Sequence, residues 1–121
     1  MEEAELLSGF TLELRRGLVP LSVLSQLEQP MYGYSLLQIL EEQRIPMDAG
    51  TLYPLMRRLE KQGLLTSSWE TSGAKPRKYY VRTELGSRIY HALCDQWHDM
   101  TVNLENLLHG KTNQEAGYED R

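Results

Sequence analysis

Residues 50–65 read GTLYPLMRRLEKQGLL, and this stretch decides the fold. Leu52, Leu55, Met56 and Leu59 recur at spacings of three and four, the rhythm of a helix with one buried face. Asp48 or Gly50-Thr51 can cap its start. Pro54 then falls within the first turn or so, where its missing N–H is not needed. Gly63 supplies a left-handed stop. Arg57, Arg58 and Lys61 lie off the apolar stripe, on the face that such a helix turns outward.

The segments on either side complete a pattern. Upstream, Leu18, Leu21, Val23, Leu24 and Leu27 give residues 18–28 a helical period, with Pro20 in the first turn and Gln29-Pro30 as the stop. After Gly33, Leu36, Leu37, Ile39 and Leu40 predict a second helix of about ten residues, broken at Ile45-Pro46-Met47. The short link to the third helix suits a helix-turn-helix. Downstream, LLTSSWE and RKYYVRT flank TSGAKP, two β-prone runs around a Ser-Gly-Pro tip. They predict a β-hairpin. Tyr79 and Tyr80 alternate across its second strand, so one is expected in the core and the other partly exposed. Thr83 is placed to cap a last helix over about 84–109, ended by Gly110. Tyr90, Leu93, Trp97, Met100, Leu104 and Leu107 form a heptad seam along it.

The expected fold is therefore mainly α with a small β-hairpin (α+β): a winged helix-turn-helix plus one long C-terminal dimerisation helix. Residues 1–17 form an arm or helical extension, 18–83 the winged domain, 84–110 the last helix, and 111–121 a disordered tail.

Charge points to a partner. The chain has 121 residues and a net charge of −4, with 40% hydrophobic and 25% charged residues. Residues 57–88 carry eight Lys and Arg against three Asp and Glu, a local balance of +5, so the rest sums to −9. Such an asymmetry describes a basic face on an acidic body, and the local patch decides phosphate contact. In a winged helix the third helix lies in the DNA major groove, and the wing reaches an adjacent backbone or minor groove. Lys75, Arg77 and Lys78 cluster at that wing, and Trp69 is expected to pack within it. No run approaches the roughly 20 apolar residues of a membrane span. The acidic start MEEAELLSGF is unlike a secretory leader, and the lone Cys94 excludes an internal disulfide framework. A cytoplasmic protein is expected.

YGYSLLQIL, GTLYPLMRRLEKQGLL, SSWETSG and RKYYVRTELG, in this unbroken order over roughly residues 12–100, resemble the PadR family of bacterial transcriptional regulators. The length matches its short members, which dimerise through a single C-terminal helix and bind palindromic operators, mostly as repressors. The wing ETSGAKPRK departs from the pattern, with proline and lysine where glycines are often found. The resemblance implies phosphate contacts for Tyr34 and Tyr53. Tyr53 could instead simply pack, and Arg57 and Lys61 could be only a solvated face. With Thr51, Arg58, Lys75, Arg77 and Lys78, these residues make up the expected DNA contacts.

The last helix offers two sensing elements. A twofold axis would bring two copies of Trp97 together, a slot for a small planar hydrophobic effector bordered by Leu93 and Met100. The competing reading is that Trp97 merely packs. His91, Cys94, Asp95 and His98 share one helical face at metal-ligand spacing. One helix rarely closes a metal site, and there is no second Cys/His cluster, so neither metal nor cofactor is expected. Nothing beyond these two histidines stands near enough in sequence to activate Cys94 as a redox switch. Gly63, Gly73 and Gly86 occur singly, which excludes a phosphate loop, and a Cys94–His98 pair lacks a third group and an oxyanion site. Catalysis is rejected. The competing functions are a winged-helix protein-interaction module with weak DNA binding and a metal-responsive regulator.

Overall fold

The computed structural model describes residues 1–45 and 47–110. Its elements are α1 (Glu3–Arg16), α2 (Leu18–Ser25), β1 (Met31–Tyr32), α3 (Gly33–Glu42), α4 (Ala49–Lys61), β2 (Leu65–Glu70), β3 (Arg77–Arg82) and α5 (Glu84–His109). Two units make up the chain, one reaching to Tyr90 and one starting at His91.

In the first unit, the predicted stripe of α4 is the centre of the core. Leu52, Leu55, Met56 and Leu59 are buried together with Val23, Leu24 and Leu27, Leu36 and Leu40 of α3, and Leu65 and Tyr80 of the sheet. Each such side chain contributes about 1.5–3 kcal/mol on leaving water. Asp48 is the cap: its carboxylate accepts from the Thr51 N–H at 2.8 Å. Because the helix starts at Ala49, Pro54 lies inside it rather than in its first turn. The missing N–H leaves the Gly50 carbonyl without its helical donor at an exposed position, where water can serve instead. Another proline acts one helix earlier. Pro20 cannot donate to the Arg16 carbonyl, and the chain breaks there at Gly17 into α1 and α2. The segment 1–17, expected as an arm or a helical extension, holds a 14-residue helix, none of it buried, with Leu6, Leu7, Phe10, Leu12 and Leu14 exposed.

The first core helix is shorter than the 18–28 expected. It stops at Ser25, and the Leu27 carbonyl accepts from the Arg82 N–H at 2.7 Å instead of continuing the helix. The Arg82 guanidinium donates to Leu24 O at 2.9 Å and Ser87 Oγ at 3.1 Å and lies 4.4 Å from the Tyr90 ring centre. One residue of the basic segment is thereby committed to tying α2, β3 and α5 together.

The hairpin pairs β2 with β3 antiparallel from Leu65↔Arg82 to Glu70↔Arg77. A third strand was not expected: β1 pairs with β3 through Met31↔Tyr80 and Tyr32↔Tyr79, giving the order β1-β3-β2. Tyr80 is buried and Tyr79 half-buried. Helices α3 and α4 end alike. Ile45 N–H bonds to Leu40 O at 2.8 Å and Leu64 N–H to Leu59 O at 2.9 Å, each across a residue of positive φ, Arg44 at 61° and Gly63 at 84°. Thr83 caps α5 as expected, its hydroxyl accepting from Gly86 N–H at 2.9 Å. Gly86 fits against the Leu64 carbonyl, where a Cβ would come within 2.0 Å of the oxygen.

The described residues of the second unit are the remainder of α5 and Gly110; on the helix Trp97, Met100, Leu104 and Leu107 are exposed and Leu93 is half-buried. The 111–121 tail expected to be disordered lies outside the described residues.

Candidate nucleic-acid interface

A groove of about 720 Å³ opens between the start of α3, the middle of α4 and the wing. Tyr34, Tyr53, Arg57, Arg77 and Lys78, five residues singled out in the sequence, line it together with Tyr32, Trp69 and Tyr80. They come from three separate segments and converge because β1 brings Tyr32 onto β3 just where α3 begins.

The aromatic residues hold the cations. Tyr32 and Tyr79 stack with centroids 3.9 Å apart, and the Tyr79 hydroxyl donates to that of Tyr32. Giving up that proton would break the bond, so the Tyr79 pKa is raised. Arg77 lies 5.0 Å from the Tyr32 ring centre, and Lys78 Nζ lies 5.1 Å from Tyr80 and 5.9 Å from Trp69. The Tyr80 hydroxyl, and after it Glu60, favour the charged ammonium of Lys78 and raise its pKa despite partial burial. Tyr53 owes its place to Gly33: a Cβ there would come within 2.6 Å of the ring. Tyr34 is 65% exposed, and its hydroxyl accepts from the Gln38 amide at 3.4 Å. Among the described residues, Glu60 reaches this cluster through Lys78, and Arg57 and Arg77 carry no ion pair. Such an arrangement of fixed phenols and cations can hold phosphate oxygens by charge-assisted hydrogen bonds.

The other candidates lie elsewhere. Arg57, Arg58 and Lys61 are all exposed, yet they do not share one face. Arg57 follows Tyr53 by one helical turn into the wing groove. Arg58 follows Pro54 by one turn and, with Thr51, lines a different depression. Arg58 and Lys61 also occupy the last turn of α4, where cations suit the helix dipole. Lys75 is exposed at the wing tip. Trp69, expected to pack in the wing, remains 62% exposed on the groove. Sequence reasoning passed over Tyr32, whose role depends on a two-residue strand, and Glu60, whose contacts depend on hairpin register.

A family model matches this chain. Residues 21–92 fit the Transcriptional regulator PadR-like family. The chain belongs to that family. A PadR family transcriptional regulator from Eggerthella lenta is 50% identical, over 87% of this chain and 94% of its own, with a TM-score of 0.83. A transcriptional regulator from Clostridium thermocellum is 31% identical over 78% and 92%, with a TM-score of 0.67. A PadR family regulator from Clostridium difficile is 25% identical over 74% and 97%, with a TM-score of 0.70. Among curated proteins, none matches. As a PadR-like regulator the chain is a DNA-binding transcription regulator and not an enzyme.

On α5, Leu93, Trp97 and Met100 lie in the second unit, Leu93 half-buried and Trp97 and Met100 exposed. Among the described residues, no group of His, Cys, Asp and Glu side chains is placed to hold a metal ion, His91, Cys94, Asp95 and His98 included. No helix of the described residues is long and apolar enough to cross a membrane.

Proposed function

We propose that this PadR-like regulator acts as a homodimeric, sequence-specific repressor, in the cytoplasm, released by a small hydrophobic ligand. The observation that carries the DNA contact is the wing groove, where Tyr34, Tyr53, Arg57, Arg77 and Lys78 meet around one concave surface. Helix α4 enters the major groove, and Arg57 reads a base edge or its phosphate. Thr51 and Arg58 contact backbone beside it, Lys61 follows at the helix end, and Lys75 extends the wing. The seam of Tyr90, Leu93, Trp97, Met100, Leu104 and Leu107 pairs with a second copy, which supports a palindromic operator with half-sites about one helical turn apart or a multiple of it. The exposed Trp97, with Leu93 and Met100 beside it, is the effector contact of that dimer.

The test is fluorescence anisotropy of duplex DNA from the protein's own promoter across a salt series. With about six phosphates neutralised per dimer, log K falls with log salt at a slope of roughly −5. Arg77→Ala/Lys78→Ala should flatten that slope. Weak, salt-insensitive binding to promoter and unrelated fragments alike would favour the protein-interaction module.

A further inference from the structure

A second depression, also of about 720 Å³, lies between α1, α2 and the N-terminal half of α4. Leu12, Val19, Pro20, Pro54 and Leu55 give it an apolar lining, and Arg15, Arg16 and Arg58 stand on it as three guanidinium groups. Among the described residues none of the three has an acidic ion-pair partner. The carboxylate beside them, Asp48, is engaged by the Thr51 N–H.

We propose that this depression binds an amphipathic organic anion: an aromatic or aliphatic body with one sulfonate, carboxylate or phosphate head. The volume is that of a small-molecule site, and such sites combine a mainly apolar wall with a few placed polar groups. Three guanidinium groups line it, two from the C-terminal end of α1 and one from α4, and each offers planar paired donors to such a head group. A bare phosphate of a DNA backbone has no apolar portion to cover Leu12, Val19 and Pro20, whereas an amphipathic anion uses both halves of the site. The proposal goes beyond the DNA-binding reading and does not depend on it.

The probe is 8-anilinonaphthalene-1-sulfonate, followed by its fluorescence, beside the neutral N-phenyl-1-naphthylamine, which lacks the sulfonate. The sulfonate should saturate one site per chain whose affinity falls about tenfold or more in Arg15→Gln/Arg16→Gln, since charge-assisted hydrogen bonds are lost. The neutral probe should bind more weakly to the native chain and be indifferent to that change. Leu12→Glu, at an exposed position, should weaken the sulfonate equally while the far-UV circular dichroism melt stays native. Equal sulfonate affinity in the native chain and both variants overturns the proposal. So does a site that opens only on dilution to monomers, which would assign the depression to a second copy. Loss of DNA affinity in Arg15→Gln/Arg16→Gln with sulfonate binding intact also overturns it, in favour of a backbone contact.

Discussion

The Glu60 carboxylate on α4 lies 3.6 Å from the Lys78 ammonium on β3, and its other oxygen accepts the Ser67 hydroxyl from β2 at 2.5 Å. One acidic residue on α4 therefore reaches both strands of the wing. It also places a negative charge on a surface proposed to face phosphates, and it occupies a cation proposed to bind them. Glu60→Gln keeps an acceptor for Ser67 and removes the charge. The pair is partly solvated, so stability should change by no more than about 1 kcal/mol. Duplex affinity should rise several-fold, with a salt slope steeper by about one unit as Lys78 is freed. Discrimination between operator and scrambled duplex should narrow, because the added affinity is independent of sequence. Anisotropy titrations of both duplexes across salt measure all three effects.

Gly33 and Tyr53 form the second coupled pair. A Cβ at Gly33 meets the Tyr53 ring at 2.6 Å, so Gly33→Ala must rotate the ring out of the groove or push α3 from α4. Overpacking of this kind costs about 1–3 kcal/mol. Alanine is otherwise welcome in a helix, so Gly33→Ala/Tyr53→Ala should recover stability that Gly33→Ala alone loses. Urea midpoints of the four-member cycle give the coupling. DNA affinity should fall in all three variants, because each lacks a correctly placed phenol.

The wing turn supplies a pH-dependent contact. Glu70 accepts the Ser72 hydroxyl at 2.6 Å and the Ser72 N–H at 2.8 Å. These bonds favour the carboxylate and lower its pKa from 4.5. A depressed folded value means that the contact contributes above the unfolded pKa and is lost as pH falls through the folded one. Ser72→Ala removes the first and larger cause, the hydroxyl bond. A side-chain NMR titration should then move the Glu70 midpoint back up toward 4.5, and near-neutral spectra should be native apart from the turn.

How much of this was legible depended on the range of each signal. The stripe of α4 was clear because four apolar residues repeat locally and Gly63 closes them. The same closure at Arg44 was silent, since an arginine at positive φ leaves no mark in a sequence. Strand β1 has two residues, too few for any period, so the stacking of Tyr32 on Tyr79 across 47 positions was hidden with it. Arg82 counted toward the basic segment but is drawn into bonds with Leu24 and Ser87. Composition gave the sign of the surface, and only tertiary register separated the cations on the groove from those used in the fold. Arg57 and Arg58 were adjacent letters with one expected role, and the 100° step of the helix sent them to different depressions.

The exposed seam of α5 makes the last prediction. Met100 is 61% and Leu107 72% exposed, in a run that also leaves Trp97 and Leu104 open. Apolar residues repeated at this spacing mark a helix that packs against another. Met100→Glu/Leu107→Glu places two charges on the seam without touching the core of the first unit. In sedimentation velocity the native chain should run as a dimer and the variant as a monomer. Each monomer can still hold one half-site through α4 and the wing, but the second half-site no longer benefits from being tethered to the first. Operator affinity should therefore drop by about 100-fold or more, while affinity for an isolated half-site stays nearly constant. Monomers that kept full operator affinity would remove the twofold axis from the mechanism, and with it the slot between two copies of Trp97.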